Sequence, residues 1–296
     1  MHCARLTRRT VLAQAMALCA LPAFGQSQDR LLSIGGSVTE IVHALGAGDR
    51  LVARDTTSTY PPEVTGLPDV GYARALSPEG VLSVAPDHIL GIEGAGPPET
   101  IQVLQASGIP FTTVPEAIDG PGILEKIEVV GHALGLPDRA ETLIAETRAA
   151  LDATACKTAQ IASGDAKRVL FILSLQGGRI LAAGTGTQAA GIIDMAGAVN
   201  AVDAFEGYKQ ITDEAVSRAA PDVILMMDRG GDHAIEDEVL LSMPAIRTTP
   251  AATTGAVIRM QGLYLLGFGP RTAQAARDLH SAIYATPGAG DDTDPS

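Results

Sequence analysis

LSPEGVLSVAPDHILG, residues 76 to 91, returns at residues 211 to 226 as ITDEAVSRAAPDVILM. Aligned without a gap, Glu79 meets Glu214 and Val81 meets Val216, while Ala85-Pro86-Asp87 then Ile89-Leu90 meets Ala220-Pro221-Asp222 then Ile224-Leu225. One supersecondary unit therefore occurs twice. Each copy reads as a short helix entered at Ser77 or Thr212 with a glutamate two residues on, stopped by Pro86 or Pro221 and followed by an apolar strand. The spacing of 135 residues (211 minus 76) is far longer than a solenoid repeat. It predicts two similar α/β lobes, and the cleft between such lobes is a favoured place for a ligand.

The flanking sequence fills in both lobes. Arg30 to Ile34 predicts a strand running into Gly35-Gly36-Ser37, and Val38 to Leu45 a helix closed by Gly46. Leu51 to Ala53 and Phe111 to Val114 predict further strands, Thr100 to Ala106 and Ile123 to Leu134 helices, and Tyr60-Pro61-Pro62 a loop. The second lobe opens on a strand at Arg168 to Leu173, a glycine-rich turn over 177–186 and a helix at Gln188 to Met195. Strands at Pro221 to Met227 and Val257 to Met260, and a helix from Pro270 to Tyr284, complete it. Alternation of this kind predicts a parallel sheet flanked by helices in each lobe. From Pro137 to about Ile161 one helical pattern continues, and at 1.5 Å per residue it spans on the order of 35 Å, a rigid strut between the lobes. The expected divisions are residues 1–25 as an export signal, 26–136 and 164–287 as the lobes, 137–163 as the linking helix, and 288–296 as a disordered acidic tail.

Charge and cysteine content narrow the function classes. Arg5, Arg8 and Arg9 precede an apolar segment from Val11 to Phe24, and Ala23-Phe24-Gly25 offers small residues for cleavage before Gln26. Thr7-Arg8-Arg9-Thr10-Val11-Leu12 also resembles a twin-arginine signal, and Leu18 before Cys19 argues against lipidation. Removing the signal leaves 18 Lys and Arg against 34 Asp and Glu, a charge of −16 in place of −13, which disfavours nucleic acid as a partner. Cys156 alone remains, so the exported mature chain is expected to be soluble and held by packing, without an internal disulfide. GxSxG, HExxH and GxxxxGK[ST] are all missing from the sequence, and the histidines at 2, 43, 88, 132, 233 and 280 are scattered, so an enzyme is not expected. His233, in the loop after a strand, is the histidine best placed to approach the cleft. Gly94-Ala95-Gly96-Pro97-Pro98 and Gly184-Thr185-Gly186-Thr187 read as turns after strands.

Gly71-Tyr72-Ala73-Arg74 stands apart, because a tyrosine and an arginine sit two residues apart in an irregular segment just before the first repeat. On its own the pair reads as a half-buried tyrosine with a surface arginine. The whole run from Val70 to Gly80, VGYARALSPEG, closely resembles the signature of periplasmic haem-binding proteins of bacterial haemin ABC importers. Gly207-Tyr208-Lys209 and Leu181-Ala182-Ala183-Gly184 with Gly186-Thr187 are similar as well, and the likeness covers residues 30 to 285.

That resemblance implies a ligand set. Tyr72 is then the axial iron ligand of ferric haem, Arg74 and Arg229 are cations that hold its phenolate, and Tyr208 is a further haem contact. A phenolate is a hard anion suited to ferric iron, as in catalase, and free tyrosine ionises only near 10, so a neighbouring cation matters. Where some relatives supply a histidine near position 174, this chain has Leu175-Gln176. Glu79 and Glu214, which suit their helix starts electrostatically, are implied to dock onto a twofold permease dimer with its ATPase. The two-lobed plan alone fits a ferric-siderophore or cobalamin binder equally well, and a secreted hydrolase is the alternative from another class.

Overall fold

The computed structural model describes residues 30–162, 164–228 and 235–284. The predicted export signal, the acidic tail, Arg229 and His233 lie outside the described residues.

Residue order builds the first lobe as β1 (Leu31–Ile34), α1 (Gly36–Ala44), β2 (Leu51–Arg54), α2 (Pro78–Ser83), β3 (His88–Ile92), α3 (Pro98–Ala106), β4 (Phe111–Val114) and α4 (Gly120–Ala133). Its sheet is wholly parallel, in the order β2-β1-β3-β4. The linking helix α5 (Pro137–Thr158) has 22 residues, about 33 Å of strut.

The second lobe follows as β5 (Arg168–Gln176), β6 (Arg179–Ala183), α6 (Gln188–Met195), β7 (Val199–Asn200), β8 (Tyr208–Ile211), α7 (Asp213–Ala219), β9 (Val223–Asp228), α8 (Asp237–Ser242), α9 (Pro250–Thr254), β10 (Val257–Gln261), α10 (Gly262–Leu266) and α11 (Thr272–Tyr284). Here the expectation of a parallel sheet needs correction. In the order β10-β9-β5-β6-β8 the first three strands are parallel, but β6 runs antiparallel to both β5 and β8. The cause is local: Gly177 and Gly178 take φ of 57° and 79°, the left-handed pair that a two-residue hairpin turn requires, and Gln176 pairs with Arg179 across them.

The duplicated unit folds the same way in both places. Ser77 accepts a hydrogen bond from the Gly80 N–H at 3.0 Å and Thr212 one from Ala215 at 3.3 Å, capping α2 and α7. Ala85 and Ala220, with φ of 44° and 41°, turn the chain out of each helix. Asp87 then accepts the Arg30 N–H at 3.1 Å and Asp222 the Arg168 N–H at 2.8 Å, tying β3 to β1 and β9 to β5 where these strands begin. The two arginines donate back into the helix ends, Arg30 to Ala85 O at 2.8 Å and Arg168 to Ala219 O at 2.8 Å.

Alternating strand residues divide the interior. Leu170, Ile172, Ile224 and Met226 build a core on one face of the second sheet, and Leu32, Ile34 and Ile89 build one in the first. Leu31, Leu90, Val169, Phe171, Val223 and Leu225 turn the other way into a single core shared by the lobes, which Leu151 of α5 and Leu279 of α11 also enter.

Candidate functional site

Parallel strands deliver their loops to their carboxyl ends, and the Tyr72 loop is fixed there by hydrogen bonds of its backbone. Residues 68 to 71 run beside the end of β2: Arg54 N–H donates to Pro68 O at 3.0 Å, Val70 N–H to Arg54 O at 2.9 Å and Thr56 N–H to Gly71 O at 3.0 Å. Asp69 reinforces the path by accepting from the Gly71 N–H at 2.8 Å and pairing with Arg54 at 3.3 Å. Ala75 N–H closes a turn on Tyr72 O at 2.8 Å, and Gly96 N–H donates to Ala73 O at 2.9 Å. Ala73 and Leu76 are buried anchors. Tyr72, immediately before them, is left half exposed, at 50%.

Arg74 crosses the carboxyl ends of β3 and β4. Its Nη1 donates to Gly94 O at 3.0 Å and its Nη2 lies 3.7 Å from Glu116 Oε2. The other Glu116 oxygen is 3.3 Å from Lys126 Nζ, and the Glu116 N–H donates to Glu93 Oε2 at 3.1 Å. Lys126, on α4, is fully buried, and it reaches Ser37 Oγ at 3.1 Å and Gly267 O at 3.5 Å. Burial lowers its pKa, against the pull of Glu116 and Glu40.

Tyr208 opens β8 and is half-buried, its ring edge-on to Phe171 at 6.5 Å between centroids. Burial raises its pKa, opposed by hydrogen bonds with Thr187 and the Ala189 backbone at the start of α6. Glu116 raises it further and Arg74 lowers it, so these first-lobe charges act on a second-lobe tyrosine across the cleft. A phenol held neutral in this way suits hydrogen bonding and wall packing rather than anionic ligation.

The structure thus brings Arg74 and Tyr208 into one electrostatic neighbourhood, with Tyr72 two residues before Arg74 on the same loop. Glu79 and Glu214 stand apart from it, exposed in the first turns of α2 and α7. Because those helices lead back to the amino ends of β3 and β9, their starts lie toward the carboxyl-end rim. Hydrogen bonds from its own backbone and from Thr212 lower the Glu214 pKa. Arg229 and His233 lie outside the described residues. Two histidines are held in structural contacts: His88 bonds Thr112 at 2.9 Å and His280 bonds Ala196 O at 2.9 Å. Among the described residues no group of three or more His, Cys, Asp or Glu could hold a metal ion, and no helix is long and apolar enough to cross a membrane.

Sequence reasoning missed Glu116 and Lys126. The signal for Lys126 was available, since it falls at the three- and four-residue spacing from Ile123 and Val130 on the buried stripe of α4.

The contact between the lobes is also polar. Arg271 of the second lobe pairs with Glu40 at 2.7 Å and stacks on Tyr60, 3.4 Å from the ring centroid. Gln261 Nε2 donates to Thr59 Oγ1 at 3.2 Å. At Gly191 of α6 a Cβ would lie 2.1 Å from Ile118 O, so the helix and the loop after β4 meet backbone to backbone.

Comparison with known proteins adds four findings. A family model described as periplasmic binding protein matches residues 31–262. The periplasmic haem-binding protein BhuT, solved with two haems, is 39% identical with a TM-score of 0.82, over 86% of this chain and 97% of that one. The ABC transporter substrate-binding lipoprotein YvrC of Bacillus subtilis is 31% identical over 70% of this chain and 66% of its own length. The vitamin B12-binding protein of Yersinia pseudotuberculosis is 36% identical over 38% of this chain and 39% of its own length. The matches to these two sequences therefore span less than two thirds of either relative.

Proposed function

This chain belongs to the periplasmic binding protein family, and from that premise we propose that it captures ferric haem between its lobes and delivers it to the permease of an ABC importer. Its family makes it a substrate-binding transport protein and not an enzyme. The observation that carries the choice of haem is the cleft loop on which Tyr72 stands half exposed, two residues before an arginine whose guanidinium reaches over the strand ends. In this reading Tyr72 supplies the phenolate for Fe(III), Arg74 offsets its charge, and Tyr208 gives the facing wall a neutral phenol. Arg229 is a second cation in the same scheme. Export to the periplasm through the signal at residues 1–25, the lobe limits of 26–136 and 164–287, action as a monomer, and docking of Glu79 and Glu214 on the permease dimer belong to the proposal too.

Cobalamin is the second reading, supported by the vitamin B12-binding relative. Haem is favoured over it because the likeness to a haem-binding protein extends over 86% of the chain and that to the cobalamin binder over 38%. Titration of the purified protein with haemin and with cyanocobalamin separates them. A saturable Soret change with haemin alone is expected; saturation by cyanocobalamin with no haemin response would overturn the haem assignment.

A further inference from the structure

Lys126 poses a problem that the ligand set leaves open. It is a fully buried cation at the meeting of the lobes, where an apolar side chain would pack at lower cost. Its nearest anion, Glu116, is also the carboxylate nearest the Arg74 guanidinium, at 3.3 Å to Lys126 and 3.7 Å to Arg74. One carboxylate therefore lies between two cations, one buried and one facing the cleft.

We propose that Lys126 is a positioning residue for the ligand: by occupying Glu116 from the buried side it leaves Arg74 only weakly engaged, and so available to anionic groups of the cargo. The inference rests on the reading of the cleft as a haem site, since haem carries two carboxylates and calls for an anionic iron ligand. Glu93, exposed and bonded to the Glu116 backbone, adds a second negative charge beside Glu116. Without Lys126 the neighbourhood holds Arg74 against two carboxylates and becomes net negative, the wrong sign for an anionic guest. Glu116 would then be free to draw Arg74 into a close two-point pair. Ser37 and Gly267 O, the remaining partners of Lys126, are uncharged and do not alter this balance.

Two readouts test it, one of them independent of any ligand. The first is the rate at which phenylglyoxal, an arginine-selective reagent, modifies Arg74 in the free protein, followed by mass spectrometry of the peptide. Lys126→Met should slow that modification and weaken haemin binding roughly tenfold, the scale of losing one nearby charge at a partly screened site. Lys126→Met/Glu116→Gln should restore both, because it removes the buried pair together and frees Arg74. A double variant that folds by circular dichroism yet remains as slow and as weak as the single variant overturns the proposal, for Lys126 then serves only to join the lobes. Should Lys126→Met not fold, Glu116→Gln alone must speed the modification of Arg74, and an unchanged rate overturns the proposal equally. If wild type binds no haemin while the Arg74 rates shift as expected, the haem reading has failed and the positioning role stands.

Discussion

Tyr72 and Tyr208 stand on opposite lobes and differ in burial. Tyr208 is held as a neutral phenol by its surroundings, whereas Tyr72 projects half exposed from a braced loop. Tyr72→Phe should therefore abolish the tyrosinate-to-iron charge-transfer band of the haemin complex. Tyr208→Phe should retain the band and shift affinity by no more than about tenfold, the worth of one hydrogen bond. Visible spectra of the two variants decide this, and a band surviving in Tyr72→Phe removes Tyr72 as the ligand. At this scale Tyr72 and Arg74 were legible because they stand in one short run with a distinctive spacing. Glu116 and Lys126 were not, because a lysine in an amphipathic helix ordinarily reads as a solvated charge. The carboxylate that justifies its burial is brought to it by packing of the loop after β4 on α4.

The repeated Ala-Pro-Asp joint has a measurable strength. In each copy the aspartate, one residue before its strand, ties that strand to the start of its neighbour by an exposed contact, although Asp222 itself is half-buried and Asp87 is exposed. Asp87→Ala and Asp222→Ala should each cost about 0.5–1.5 kcal/mol, with the larger loss at Asp222, whose bond is shorter, 2.8 Å against 3.1 Å, and whose side chain is less exposed. Urea unfolding of both variants measures the difference; a greater loss at Asp87 would contradict this account of the joint. The duplication made helix, breaker and strand readable twice over, and α6 was placed at the residues predicted. The hairpin of β5 and β6 was hidden inside a stretch taken as one glycine-rich turn. Gly177-Gly178 carried the signal, but only the short first part of the stretch is turn, and Arg179–Ala183 returns as a strand. The brief helices α8, α9 and α10 show too few turns for any period to emerge from the sequence.

For the molecule as a whole, the duplication sets one glutamate on each lobe at corresponding helix starts. If Glu79 and Glu214 are the docking points, replacement of both by Lys should leave haemin titration unchanged and abolish haemin-stimulated ATP hydrolysis by the reconstituted importer. Normal stimulation by that variant would leave these residues with electrostatic support of their helix starts alone. The two-lobed plan with a linking helix was legible because the repeat and the long helical pattern are both local signals. The merging of the inner faces into one core was not, since it depends on which side of each sheet turns toward α5 and α11. That shared core has a thermal consequence. With Leu31, Phe171, Leu225 and Leu279 packed in a single interior, neither half can melt and leave the other's apolar face dry. Scanning calorimetry should accordingly record one endotherm whose van't Hoff and calorimetric enthalpies agree, and two resolved peaks would mean that the halves come apart before they unfold.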